Sequence, residues 1–444
     1  MLLTDKEAKD IIDKVLSLSK ADSAVVTVRG SNASNIRFAA NTVTTTGSGD
    51  SIQISITSNI GKRSGSSEIT SLDDERIEEG VRVSEMSATL SQDNEEFMPP
   101  VEAGLSYRES KEYYESTAAM TPAEMAGRAS SALETSIGSS LTAAGYFEAD
   151  KAFSAIGNSK GLFAYHRNTF ARFASTMRTA DGTGSCKMDR SYADINRLDI
   201  KGISEKIADR SKMSGNPQRL EPGKYIAVLD HAASCDMVNG LMNFMSMRSA
   251  DEGRSFFSEN GSNKIGKKLF SEIVSIESDP SDSDAPARPF TEEGYPVDKT
   301  VWVRNGVLEN LFSSRFWAKK TGKAHNPHPT NLIMKGTDRS VEDLISSTER
   351  GVFVTRFWYI RTVDRKQMLL TGLTRDGVFL IENGKITYPV NNFRFNESPA
   401  HVLQSVVDMS SGEKAVGSEN INSRIVVPAL KVRDFNFSTI SEAV

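Results

Sequence analysis

Apolar positions fall into two periods along the chain. Asp5–Ser19 places Ile11, Ile12, Val15 and Leu16 on one face, the mark of an amphipathic helix. Strand-like runs follow at Ala24–Val28 and Asn35–Ala40. In Ser51–Thr57, Ile52, Ile54 and Ile56 alternate with polar residues, as a half-buried strand requires. Asn59-Ile60-Gly61 turns the chain into a partner strand over Lys62–Thr70, and Leu72–Leu90 returns to helical spacing through Ile77, Val81 and Val83. Residues 91–120 are polar, contain Pro99-Pro100 and read as connection. Thr121-Pro122-Ala123-Glu124 starts a helix, with Thr121 as cap and Glu124 reaching back, that runs to about Ser136. Strands are expected at Leu141–Phe147, Ala152–Ile156, Leu162–Tyr165 and Thr169–Arg178, then a helix over Ser204–Lys212.

Ile52–Gly65 and Lys151–His166 share a strand, an Asn/Gly turn and a returning strand, which raises an internal duplication of an α+β unit. Ser214-Gly215-Asn216-Pro217 marks a boundary. The expected architecture is α+β: an N-terminal mixed domain over 1–215, and over 216–444 a mainly antiparallel β domain with a few helices. In the second part, strands at Thr300–Val303, Gly351–Thr362, Gln367–Leu373, Gly377–Ile381 and Phe393–Phe395 are punctuated by Asn-Gly and Asp-Gly. Helices are read at Val341–Ser347 and Ala400–Met409, and the last strand at Arg424–Val432.

Chemistry concentrates on Glu221–Met247. Tyr225–Leu229 is a buried strand, Asp230 a helix cap, and Ala233, Met237, Leu241, Phe244 and Met245 an apolar stripe. Such a strand and helix is the scaffold on which metal hydrolases hang two ligands and a base. Here His231 is followed by Ala232, whose methyl cannot act as a base; Cys235 and Asp236 are its only companions. His231 and Cys235, four apart, share a helix face; they read either as the start of a zinc site or as a terminal His beside a small buried Cys. His325-Asn326-Pro327-His328-Pro329 is a solvent loop or a loop over a cleft, and His166 and His401 are structural or solvated.

Charge and cysteine content narrow the field. Lys and Arg number 53 against 58 Asp and Glu, a net of 53 − 58 = −5, with no basic block to hold nucleic acid. Cys186 and Cys235 suit a reducing compartment. No apolar run reaches membrane-spanning length, and MLLTDKEAKD is unlike a secretory signal, so the expected location is cytoplasmic.

Thr330-Asn331-Leu332-Ile333-Met334, Ser340-Val341-Glu342-Asp343-Leu344, Gly372-Leu373-Thr374-Arg375-Asp376-Gly377, and Ile381-Glu382-Asn383-Gly384-Lys385-Ile386 with Pro389-Val390 resemble the TldD/PmbA family, also called modulators of DNA gyrase. Arg37–Asn41 and the Asn59-Ile60-Gly61 hairpin resemble its opening. The resemblance implies a cytoplasmic metallopeptidase of two related subunits, TldD and TldE (PmbA), around a chamber that admits unfolded peptide. In TldD-type subunits a helix carries H-E-x-x-x-H, and a later cysteine completes the metal site. On this chain the first His matches His231, the Glu falls on Ala232, the second His on Asp236, and the later Cys has no counterpart. The resemblance is therefore to the PmbA branch. It implies a subunit with no catalytic residue or cofactor of its own, with zinc expected only in a TldD-like partner. Thr374, Arg375 and Asp376 are candidates for lining the peptide path, and a homodimer remains open. The alternatives are a divergent peptidase using His231, Cys235 and Asp236, and a protein-binding regulator of gyrase.

Overall fold

The computed structural model describes residues 2–418 and 424–442, built on two large sheets and one two-stranded ribbon. Helix α1 (Asp5–Leu18) opens on a capping box, in which Thr4 Oγ1 accepts from the Glu7 amide and the Glu7 carboxylate accepts from the Thr4 amide. Strands β1 (Ser23–Ala39), β2 (Thr42–Ile60) and β3 (Arg63–Ile69) follow, then α2 (Asp74–Leu90). After the short α3 (Glu115–Ala118) the pattern returns as α4 (Pro122–Gly138), β4 (Thr142–Asn158), β5 (Phe163–Arg178), β6 (Ser185–Tyr192) and α5 (Ile200–Met213). The sheet order is β3-β2-β1-β4-β5-β6, so two helix–three-strand–helix halves meet at β1 and β4.

Each half has its own core. Ile12 and Val15 of α1 and Ile77 and Val81 of α2 pack on Val26, Val28, Ile54 and Ile56. Met125 and Ala129 of α4 and Ile207 of α5 pack on Phe147 and Phe173. Burying each such large side chain contributes about 1.5–3 kcal/mol. The duplication is therefore present in the topology, but the two sequence segments that suggested it are one strand out of step. Ile52–Gly65 spans the β2–β3 hairpin, whereas Lys151–His166 spans β4–β5, whose counterpart is β1–β2.

Several expected strand pairs are single long strands. Ala24–Val28 and Asn35–Ala40 belong to β1, because Gly30–Ser34, although polar, stays hydrogen-bonded between β2 and β4. Residues 91–120 are mostly irregular, as expected, but they are more than connection: Val101, Glu112 and Thr117 are buried. Glu112 lies 2.8 Å from His166 Nε2 and also holds Arg424, tying this segment to both sheets.

The second sheet begins with β7 (Gly223–Leu229), after which the chain forms α6 (His231–Met242), α7 (Met247–Asp251) and a small ribbon of β8 (Ser258–Glu259) and β9 (Ser262–Asn263). Strands β10 (Ile276–Ser278), β11 (Thr300–Arg304) and β12 (Val307–Leu308) lead through α8 (Arg315–Thr321) to β13 (Leu332–Met334) and α9 (Val341–Ser346). Then come β14 (Arg350–Asp364), β15 (Leu369–Glu382), β16 (Lys385–Pro389), β17 (Asn392–Glu397), α10 (Pro399–Gln404), β18 (Val406–Ala415) and β19 (Ile425–Ser441). β19 pairs with both β17 and β7, and β7 runs through β14 and β15 back to β17, so five strands close a circuit. Phe357, Phe393, Phe395, Phe435 and Phe437 on these strands are fully buried and linked to one another through ring contacts.

Two local expectations fail here. Ala400–Met409 is not one helix, since Val406–Met409 pairs with β19 as the start of β18. Asp376-Gly377 is not a hairpin turn but a bulge inside β15, where Asp376 has φ 56° and Gly377 φ 128°. Asn305 and Asn383, by contrast, do take left-handed turn conformations before Gly306 and Gly384. Among the described residues no helix is long and apolar enough to cross a membrane.

Candidate functional site

The N-terminus of α6 lies where the two sheets meet. β7 is held on both sides, parallel to β14 and antiparallel to β19, and the Asp230 amide donates to Val354 O at 2.9 Å. Asp230 caps α6: its Oδ1 accepts from the His231 amide at 2.8 Å, while Oδ2 accepts from Arg210 of α5 at 2.6 Å. Burial alone would raise this carboxyl, but Arg210 and then His231 hold it well below the usual carboxylate range. The helix buries Ala233, Met237 and Leu241 as its stripe predicts, and it ends at Met242, before Phe244 and Met245.

Of the four candidate metal positions, the three with ligating side chains, His231, Cys235 and Asp236, point to separate partners. His231 Nδ1 lies 3.0 Å from Asp230 Oδ1, and its Nε2 faces β18, 3.3 Å from Ser411 O and 3.4 Å from Ser410 Oγ. The Cys235 thiol is buried and faces Ala415 O at 3.7 Å. Asp236 Oδ1 accepts from the Ser418 amide at 2.8 Å. Among the described residues no three His, Cys, Asp or Glu side chains are grouped to hold one ion, so His231, Cys235 and Asp236 do not assemble the zinc site that the resemblance implies for TldD-type subunits.

Ala232 instead lines a narrow cleft. Lys187 and Arg190 of β6, Arg210 of α5, Thr355 and Arg356 of β14 and Gly417 form its other walls. The Lys187 ammonium is destabilised first by burial and then by the neighbouring Arg356. Arg172 grips Asp189 with two bonds, at 2.6 and 2.9 Å.

The candidate lining residues border the same region from β15. Asp376 is buried, pairs with Arg356 at 2.6 Å and accepts from Ser185 Oγ at 3.0 Å. Thr374 is also buried, with Oγ1 accepting from the Phe393 amide. Arg375 keeps partial exposure and stacks over Trp358, with 5.6 Å to the ring centre. Sequence reasoning brought out Asp230 and His231 but missed Lys187, Arg210 and Arg356. Each is an isolated basic residue, and only the packing of the two sheets gathers them.

The other histidines are also placed. His401 faces Glu397 at 2.8 Å. His325 and His328 rest against Tyr295 and Phe312, with ring centres 4.4 and 4.9 Å apart, and line a separate apolar cleft.

Comparison with known proteins gives one family. The model for the PmbA/TldA metallopeptidase central domain matches residues 106–214, and that for the C-terminal domain matches 222–439. The metalloprotease TldD homolog of Buchnera aphidicola from Acyrthosiphon pisum is 25% identical over 57% of this chain and 54% of its own length. The metalloprotease PmbA homolog of the same organism is 23% identical over 57% of each chain. The match therefore spans just over half the length of these two relatives. Metalloprotease PmbA of Escherichia coli O157:H7 is 21% identical over 70% of this chain and 69% of its own. In fold, TldE from Thermococcus kodakarensis superposes with a TM-score of 0.85 at 17% identity, over 96% of this chain and 99% of that one. A candidate modulator of DNA gyrase from Bacteroides thetaiotaomicron superposes at 0.84 with 20% identity, over 99% and 100%.

Proposed function

The chain belongs to the PmbA/TldD metallopeptidase family, and from that premise we propose that it is a PmbA/TldE-type subunit without a metal centre of its own. In this reading it works in the cytoplasm beside a TldD-like subunit that carries the zinc, and the two enclose an unfolded peptide for cleavage. The observation that supports it is the N-terminus of α6. A metal hydrolase needs ligands that converge and a base beside the bound water. Here the imidazole of His231 is spanned between Asp230 and β18, Asp236 is turned to Ser418, and the position after His231 carries a methyl group. Arg210–Asp230 ties this end of the helix to α5, and Arg356–Asp376 ties the neighbouring β14 to β15, which suits a wall better than a reacting centre.

The test is metal analysis and peptidase assay on the chain alone and on the chain co-purified with a TldD-like subunit. The expected result is no stoichiometric metal and no cleavage by the lone chain, with both present in the complex. Tightly bound metal and cleavage in the lone chain, both lost on His231→Ala, would overturn the reading.

A further inference from the structure

The cleft beside Ala232 has more positive charge on its walls than its own carboxylates neutralise. Four cations line it, Lys187, Arg190, Arg210 and Arg356, against two carboxylates, Asp189 and Asp230. Both carboxylates are already committed: Asp230 to Arg210, and Asp189 to Arg172 from behind the wall. Arg356 is matched by Asp376, which lies outside the cleft. Among the described residues the one carboxylate Arg190 reaches is Glu413, at 3.8 Å and half exposed, while its Nη1 donates to the Asp189 carbonyl at 3.1 Å. Among the described residues Lys187 has no carboxylate within ion-pair distance. A half-buried ammonium facing a cleft, with no counter-charge of its own, is an anchor for an incoming anion.

The size of the cleft selects the anion. The free space has room for about one or two waters, which a carboxylate fills and a bulky apolar group does not. The methyl of Ala232 and the glycine at 417 leave that space open, and the Arg190 and Arg356 guanidinium groups on its walls suit the oxygen pair of a carboxylate. We propose that this cleft is a receptor for a carboxylate of the peptide ligand, with Lys187 as its principal anchor and Arg190 and Arg356 beside it. A chain terminus and an acidic side chain both present this group, and the peptides titrated below tell the two sources apart. The inference rests on the preceding section only in taking the ligand to be a peptide.

The experiment is calorimetric titration of the lone chain, without metal or partner, with three tetrapeptides acetylated at the N-terminus: one with neutral side chains and a free C-terminus, its C-terminal amide, and an amide containing one Glu. Binding of the first but not the second is expected, weakening as salt rises. Lys187→Met should weaken it at least tenfold. Ala232→Glu, which sets a carboxylate of the chain's own in the cleft, should weaken it similarly while leaving the melting curve near that of the parent. Binding of the Glu peptide identifies any carboxylate as sufficient, and its failure identifies the terminus. Equal binding of acid and neutral amide, no binding of any peptide, or full binding by Lys187→Met would overturn the proposal. None of these results bears on whether the partner carries the metal.

Discussion

Arg210 Nη1 donates to Asp230 Oδ2 at 2.6 Å, and this buried bond joins the last helix of the first sheet layer to the cap of α6 in the second. The other oxygen of Asp230 holds the His231 amide and ring, so one carboxylate sets both the helix start and the histidine orientation. Removing one partner of a buried pair leaves a charge without compensation. Arg210→Met or Asp230→Asn is therefore expected to cost about 3–5 kcal/mol, and the double variant less than the sum. Because Asp230 is held well below its ordinary range, its contribution is complete above about pH 4 and fades as pH falls through the folded value. Urea unfolding at pH 7 and pH 3 checks both points: the gap between parent and Asp230→Asn must narrow at the lower pH.

Lys414 on β18 should act in the opposite sense. Burial, then Arg424 and Arg197, push its ammonium down to about 8, with Glu112 and Asp284 opposing and the Tyr192 ring 5.9 Å away. Unfolded lysine titrates near 10.4, so between about 8 and 10.4 the unfolded chain binds more protons and stability rises with pH. Lys414→Met is expected to stabilise the protein at pH 7 by up to roughly 3 kcal/mol, a gain that shrinks above pH 8. Thermal melts from pH 6.5 to 10 measure it, and a gain that does not vary with pH would show that the buried charge is not the cause.

Local signals in this chain were legible where they stood alone. The capping box of α4 forms as Thr121 and Glu124 predict, and Asn305-Gly306 and Asn383-Gly384 make their turns. Legibility failed where a distant partner decides. Asp376-Gly377 carries a turn signal, yet Arg356 and Ser185 hold Asp376 within β15. Val406–Met409 continues a helical spacing but is claimed by β19. At the site, the strand, cap and helix of 223–242 could be read from periodicity, because the residues involved are neighbours in sequence. The basic wall could not: Lys187, Arg210 and Arg356 come from three elements, and Glu112 sits in a stretch whose polarity masks its burial.

Both cysteines should be silent in the native protein. Cys186 is fully buried and its thiol is pushed up to about 12, so almost no thiolate exists at neutral pH. Cys235 is equally enclosed beside Ala415. A chromogenic disulfide reagent at pH 8 is expected to titrate no thiol within minutes in buffer and two in denaturant. Rapid labelling of either in buffer would mean that α6 or β6 opens readily.

Gly417 has a packing reason that a double-mutant cycle can isolate. A Cβ at this position would lie 2.3 Å from Asp236 Oδ1, the atom that accepts from the Ser418 amide at 2.8 Å. No contact so short survives, so in Gly417→Ala the carboxylate must swing away and its charge-assisted bond is lost, at a cost of about 1–3 kcal/mol. The backbone itself is not the obstacle, since Gly417 is absent from the glycines of positive φ. Truncating Asp236 to Ala removes both the clash and the bond. The cost of Gly417→Ala should therefore fall to a few tenths of a kcal/mol in the Asp236→Ala background, a coupling of the size contacting residues show. Urea unfolding of the four proteins gives the coupling, and amide exchange at Ser418 should quicken in either single variant. An equal cost in both backgrounds would mean that the glycine is required for something other than its approach to α6.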